Sequence, residues 1–358
     1  MATFRFHVFS GTGNSMHLAR SLAARIGAAM PIQAEYVEVS SGEIRRLRRG
    51  ETRYPPRVEG DLDLFLFPVF AMSVPRIVKR YVRALGRAAG PGGAGGAKPR
   101  AAVLSTNGRI SDRVRDGHEG DSLAQADRML RRRGWDLVCR DTFDYPQSIA
   151  SILKIQDEER KAAIMALVEP RIDELAARLA SGERHRRPCR AWAHLVGWPF
   201  GWLYSIFGRR MLAMLYAPDA SCDGCGLCAK RCPAGAIRMI GGVPDWSYAC
   251  EGCERCINIC PKRAIQTSLF RIGIVAAIFA AADLCPLKGA LAAALAALPT
   301  WCFEAIWFAA SVVLGFAALR LADLALAIVS RIRPLRPVLA FGWTKWTGRY
   351  RAPRRASE

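Results

Sequence analysis

Acidic residues are scarce in this sequence. Its 358 residues include 31 Asp and Glu against 52 Lys and Arg, a formal net charge of +21. That imbalance excludes an electrically neutral surface and points to an anionic partner: lipid headgroups, nucleic acid or an acidic protein. An uncharged run of bilayer-spanning length is also missing. In the C-terminal apolar stretch, Ile272–Ala282, Gly289–Phe303 and Ala305–Leu319 each fall short of the roughly 20 residues that cross a membrane comfortably. The opening residues, Met1 to Phe9, lack a charged stretch followed by an apolar one, so no signal peptide is expected. With hydrophobic residues at 51%, full disorder, a collagen and a small disulfide scaffold are excluded.

Cysteine, by contrast, is plentiful: there are 12. Eight of them form two runs, Cys222-x-x-Cys225-x-x-Cys228-x-x-x-Cys232-Pro233 and Cys250-x-x-Cys253-x-x-Cys256-x-x-x-Cys260-Pro261. Such regular spacing in a long chain indicates metal binding rather than disulfides. Structural zinc prefers two separated pairs of ligands, which these runs do not supply. The runs resemble those of bacterial two-cluster ferredoxins, over roughly fifty residues. The resemblance implies two 4Fe-4S clusters with crossed ligation, one on Cys222, Cys225, Cys228 and Cys260, the other on Cys250, Cys253, Cys256 and Cys232. Clusters held by cysteine alone carry single electrons. Cys139, Cys189, Cys285 and Cys302 have no ligand spacing and read as small apolar fillers. Thiols stay reduced in the cytoplasm, where this part of the chain is expected.

The N-terminal half alternates strand and helix patterns. Residues 3–9, 34–40, 62–69, 101–105 and 137–143 read as strands, and Leu18, Ala19, Leu22 and Ile26 mark the apolar face of the first helix. A long amphipathic helix is expected over 152–181. The alternation predicts an α/β fold with a doubly wound, five-stranded parallel sheet. Ser10-Gly11-Thr12-Gly13-Asn14-Ser15 joins the first strand to the first helix. Its glycines permit a tight turn. Free N–H groups and the helix dipole then face an anion, with the Ser10, Thr12 and Ser15 hydroxyls available to its oxygens. No Lys follows as in a Walker loop, and the third glycine of a dinucleotide fingerprint is missing.

This loop resembles the FMN-phosphate loop of flavodoxins. The resemblance implies that Pro68, Val69, Phe70 and Ala71, after strand three, and Ser105, Thr106, Asn107 and Gly108, after strand four, border the flavin ring at the carboxyl ends of the strands. The family's usual aromatic pair is not evident; Phe70 is the nearby candidate. Gly90-x-Gly92-x-x-Gly95 follows a helix and precedes a strand, so it reads as a loop rather than a dinucleotide motif. His17 is expected on a solvated helix face. The basic runs 45–49 and 131–133 read as solvated faces too, since no nucleic-acid motif accompanies them.

A flavodoxin-like domain followed by a two-cluster ferredoxin resembles the flavodoxin–ferredoxin fusion family of anaerobic prokaryotes. The Phe9–Ser15 loop fits that family, as does the tail Gly348-Arg349-Tyr350-Arg351-Ala352-Pro353. Relatives are expected to carry that tail close behind the ferredoxin, whereas here an apolar stretch separates the two. Trp301 and Trp307 and the break at Pro299 suit two tilted helices in that stretch, although Asp283, Lys288, Glu304, Arg320 and Asp323 interrupt them. Basic residues flank both ends, so both ends are expected in the cytoplasm after an even number of crossings. Residues 191–208, with Trp192, Trp198 and Trp202, read as an interfacial or docked helix.

The expected organisation is a flavodoxin-like domain over 1–183, a linker over 184–218, a small α+β two-cluster ferredoxin domain over 219–268, an apolar helical hairpin over 269–332 and a basic tail over 333–358. The expected function is electron transfer between FMN and two 4Fe-4S clusters at the cytoplasmic face of the cell membrane. The expected partners are a redox protein or quinone and anionic lipid, with no nucleic acid. The alternatives are a flavin-dependent reductase of a small substrate, and a flavin-free membrane ferredoxin or redox sensor.

Overall fold

The computed structural model describes residues 1–52, 54, 59–87, 98–109, 119–284, 286–295 and 299–353. The Gly90–Gly96 loop and Cys285 lie outside these. Six parallel strands form one sheet: β1 (Ala2–Val8), β2 (Ile32–Glu38), β3 (Leu62–Pro68), β4 (Arg100–Arg109), β5 (Asp136–Pro146) and β6 (His185–Arg186). Their spatial order is β2-β1-β3-β4-β5-β6. The first five strands follow the flavodoxin-like doubly wound order.

The two-residue period of a strand sends alternate side chains to opposite faces. Phe4, Phe6, Val8, Leu62, Leu64 and Leu66 therefore pack with α1 (Asn14–Ala29) and α5 (Glu158–Ala180). Phe65 and Phe67 face α2 (Ser41–Arg48), α3 (Arg76–Ala84) and α4 (Ser122–Arg131). The Asp157 side chain caps α5 by accepting from the Arg160 N–H at 2.8 Å.

Two expectations need correction. The sheet has a sixth strand inside what reads as linker: His185 and Arg186 pair with Cys139 and Arg140. Two residues carry no legible pattern, and the strand is held by backbone and by the Arg140 guanidinium on the Arg187 carbonyl at 2.8 Å. β4 also runs on through Ser105–Arg109, paired with β5 as far as Pro146. Polar side chains did not end it because Thr142, on β5, meets the Ser105 and Asn107 side chains, each at 2.8 Å.

After the sheet comes α6 (Ala191–Leu203), which runs through a π-helical turn at Tyr204–Gly208 into α7 (Arg209–Leu215). This helix straps the molecule together. Near its start, Gly197 and Gly201 let it close on the loop after β3: an added Cβ would stand 3.3 Å from Met72 Cβ and 3.2 Å from the Ala71 carbonyl oxygen respectively. Trp192, Trp198 and Trp202 remain exposed on the outside. The ferredoxin-like portion then comprises β7 (Tyr216–Pro218), α8 (Leu227–Lys230), β8 (Ile237–Ile240), β9 (Val243–Trp246), α9 (Arg255–Ile259) and β10 (Ile265–Thr267). β7 pairs with β10 and β8 with β9, both antiparallel.

The apolar region is α10 (Leu269–Asp283), α11 (Pro286–Ala294) and α12 (Thr300–Val329). The first limb of the expected hairpin is thus two helices rather than one; Pro286 cannot continue α10 and instead opens α11. Among the described residues α12 is the one helix long and apolar enough to cross a membrane, over Thr300–Leu326. The limbs are antiparallel and their charges meet in two layers. Lys288 pairs with Glu304 at 3.1 Å, and Arg271 with Asp323 at 3.2 Å. Glu304 and Asp323 lie about 28 Å apart along the helix, close to the thickness of a hydrocarbon core.

The chain leaves the ferredoxin at β10 and returns beside it. Thr267 N–H donates to Thr344 Oγ1 at 2.7 Å, and Leu269 N–H to the Phe341 carbonyl at 2.7 Å. The two ends of the apolar region therefore lie side by side. Asp323 also pairs with Arg210 of α7, whose side chain is 1% exposed. Asp323→Ala strands that guanidinium among buried groups, and a loss of about 3–5 kcal/mol is expected. Thermal unfolding in detergent checks it.

Candidate functional site

The two cysteine runs fold alike. Gly224 and Gly252 occupy the same place in each, as do Gly226 and Glu254, and Gly235 and Arg263; all six have positive φ. Backbone N–H groups point at sulfur in matching positions: Ala236 at Cys232 (3.3 Å) and Ala264 at Cys260 (3.4 Å). Gly252 N–H adds a third, to Cys250, at 3.4 Å. Such bonds to sulfur help set the potential of an iron–sulfur centre.

All eight thiols are free, and their electrostatic neighbours sort them into two sets. Burial pushes Cys228 up to about 11, and its thiol neighbours are Cys222, Cys260 and Cys225. Burial pushes Cys250 and Cys253 up to about 12; Cys232 neighbours both. Cys256 neighbours Cys250, Cys253 and Cys232. Each set thus joins three cysteines of one run to the last cysteine of the other. Four cysteines in each set match the ligand number of a 4Fe-4S cluster. The donor set fits 4Fe-4S clusters.

The Ser10–Ser15 loop lies directly against the second run. A Cβ on Gly11 would stand 2.5 Å from the Cys253 carbonyl oxygen and 2.9 Å from Cys253 Cβ. Arg255 donates from Nε to the Gly11 carbonyl at 3.1 Å and also holds the Ser10 carbonyl; its other partners are Glu38 at 2.7 Å and the Arg231 carbonyl at 3.1 Å. Beside it Glu254, a non-glycine residue at φ 57, accepts from the Ser151 N–H at 3.1 Å and from its hydroxyl. Burial raises the Glu254 carboxyl to about 7. A left-handed conformation at a bulky residue persists only where its surroundings over-determine it, and here the loop after β5 does so. The tail closes the same junction. Tyr350 donates its hydroxyl to Asn14 Oδ1, and its backbone N–H to Asn258 Oδ1 at 2.7 Å.

The other loop residues fall as follows. Ser10 Oγ accepts from the Gly13 N–H at 3.1 Å. Thr12 donates to Ser148 Oγ at 2.9 Å, and Ser15 shares a hydrogen bond with Thr106 at 2.9 Å. The Thr12 and Ser15 hydroxyls are thus taken up internally, which leaves backbone N–H groups as the main anion donors. α1 has no acidic residue in its first turn; Gly13, at φ 112, precedes it, and Ser10 Oγ also accepts from the Met16 N–H at 3.4 Å. Pro68 ends β3 opposite Thr106, and the Val69 N–H donates to the Thr106 carbonyl at 3.0 Å. Phe70 packs edge-on to Phe9 at 6.1 Å. Ala71 (φ 47) and Met72 (φ 60) are consecutive left-handed residues. Gly108 lies beside Gln147, 3.4 Å from a would-be Cβ. Asn107 is 7% exposed and its Oδ1 has no hydrogen-bond partner. A helix start free of acidic side chains, strained turns and an orphaned buried acceptor along one sheet edge fit a flavin with its phosphate.

Sequence reasoning missed Arg255 and Glu254, and it misjudged His17. His17 is buried, and its Nδ1 lies 3.0 Å from the Tyr145 hydroxyl. That partner is remote in sequence, so the helix pattern alone could not reveal it.

The 4Fe-4S dicluster domain family matches residues 221–265. Among solved structures, general stress protein 14 of Treponema denticola in complex with FMN is 12% identical, with TM-score 0.32, covering 51% of this chain and 100% of that one. An azoreductase of Bacillus anthracis is 13% identical, with TM-score 0.31, covering 50% and 99%. A short-chain flavodoxin associated with a bacterial microcompartment is 11% identical, with TM-score 0.32, covering 51% and 98%. A sequence comparison with curated proteins finds no match. Strand order, rather than these likenesses, identifies the N-terminal fold. A flavodoxin-like sheet followed by a dicluster domain fits a flavodoxin–ferredoxin fusion, and the iron–sulfur domain gives the chain a redox role.

Proposed function

We propose that the chain relays electrons between an FMN at the carboxyl edge of its sheet and two 4Fe-4S clusters, beside the cytoplasmic face of a membrane. The observation that carries this reading is the packing of Gly11 on Cys253, with Arg255 bound to the Ser10 and Gly11 carbonyls. Cys222, Cys225, Cys228 and Cys260 would hold one cluster; Cys232, Cys250, Cys253 and Cys256 would hold the other. The backbone of Ser10–Ser15 would hold the phosphate, with Pro68–Ala71 and Asn107 bordering the ring. FMN supplies two-electron exchange when bound, and clusters supply single-electron transfer. Cys250 and Cys256 are buried whereas Cys225 is exposed, which supports an internal role for the second set and an outlet at the first. The outlet would serve a redox protein or a quinone.

The membrane side of the reading rests on α12 and on the two layers of paired charge that bracket its apolar stretch. The exposed tryptophans of α6 would sit at headgroup level, near anionic lipid that answers the basic surface. Cofactor content of anaerobically purified, detergent-extracted protein tests the proposal. About one FMN and about eight irons per chain are expected. Eight irons with no flavin, even after FMN is added, would leave a membrane ferredoxin on a flavin-free fold.

A further inference from the structure

The strap helix changes from α to π geometry at Tyr204–Gly208. π turns are rare and concentrate at functional positions, because each one re-aims a side chain at the expense of regular hydrogen bonding. Tyr204 opens this turn, and two glycines make room for its side chain. A Cβ on Gly208 would stand 2.6 Å from Tyr204 Cδ2, and a Cβ on Gly252 would stand 2.9 Å from the Tyr204 hydroxyl oxygen. Gly252 lies between Cys250 and Cys253, and the charged or ionisable neighbours of the phenol are Cys250, Glu251, Glu254 and Cys253. One turn earlier on the same helix, Gly201 packs on the Ala71 carbonyl of the strained loop after β3. Tyr204 thus stands where the strap passes from the candidate flavin loop to the second cysteine set. Apolar packing alone would be served by phenylalanine; the polar end of this ring is the part that meets the cysteine loop.

We propose that Tyr204 donates a hydrogen bond into the sulfur shell of the cluster on Cys232, Cys250, Cys253 and Cys256, and thereby raises that cluster's potential. The inference rests on the ligation given under Proposed function. A hydrogen bond to a cluster sulfur favours the reduced form, which carries the additional negative charge. Tyr204 is a positioning and tuning residue, distinct from the ligands.

The test is Tyr204→Phe in the full chain, purified anaerobically in detergent and titrated redox-potentiometrically with electron paramagnetic resonance. The expected result is full iron, one cluster unchanged, and the other harder to reduce by about tenfold, which is 59 mV for a one-electron couple. Proton couplings of the reduced wild-type cluster give a second readout: one exchangeable in D2O is expected to vanish in the variant. Unchanged potentials and couplings with full iron would overturn the role of Tyr204. Wild-type protein with fewer than two clusters would instead overturn the ligation on which it rests. If Tyr204→Phe fails to fold, 15N-labelled wild-type protein decides, since backbone N–H couplings such as those of Ala236 and Gly252 carry nitrogen and a phenol does not: absence of an exchangeable coupling without nitrogen overturns the proposal.

Discussion

Cys232→Ser is expected to remove the cluster of the other cysteine run and to spare its own. Cys232 follows Cys222, Cys225 and Cys228 in sequence, yet its thiol neighbours Cys250, Cys253 and Cys256. Serine is a poor iron ligand, so iron is expected to fall from about eight to about four per chain. The cluster that survives should be the exposed one near Cys225, open to small oxidants and reductants. Cys260→Ser should do the opposite and leave the buried cluster beside Gly11. Spectra of the two variants then differ, each lacking one of the two wild-type signals. Uncrossed ligation would make Cys232→Ser spare the buried cluster instead, and iron content with electron paramagnetic resonance of both variants decides between the two.

Gly11→Val is expected to uncouple flavin from iron while leaving the iron in place. Its side chain has nowhere to go: the Cβ position is 2.5 Å from a backbone carbonyl of Cys253, and backbone cannot swing aside as a side-chain tip can. Overpacking of this kind costs about 1–3 kcal/mol, which the junction can relieve only by opening. The Arg255 bonds to Ser10 and Gly11 would open with it. Electron exchange between flavin and clusters slows as the two move apart, so slower exchange with the iron content unchanged is expected. Rapid-mixing absorbance of the reduced flavin checks it. Exchange at the wild-type rate would mean that this contact is not the route.

Much of this was legible in the sequence for a physical reason: ligand spacing and turn glycines are local. Eight cysteines in two runs, and the Ser10–Ser15 loop between an apolar strand and a helix, need no knowledge of distant partners. The strands of the sheet core were legible because both their faces are buried and few polar residues interrupt them. What escaped depends on contacts between remote residues. β4 continues through Ser105–Arg109 because Thr142 satisfies its polar side chains. His17 is inside because Tyr145 meets it. Lys288, Glu304 and Asp323, three of the charges that interrupt the apolar region, looked like obstacles to a hairpin; Lys288 pairs with Glu304, and Asp323 with Arg271. The helix after the sheet read as a linker element because its own pattern is apolar all round. Its role as a strap follows only from where Gly201, Tyr204 and Arg210 touch other parts of the chain.

The relay stands or falls on whether electrons pass between flavin and clusters inside one molecule. The measurement is anaerobic rapid mixing of FMN-loaded, detergent-extracted wild-type chain with a substoichiometric reductant, followed by absorbance of flavin and clusters as they re-equilibrate. Packing of Gly11 on Cys253 requires a re-equilibration rate independent of protein concentration. A rate that rises in proportion to concentration, or no re-equilibration at all, would contradict an internal relay.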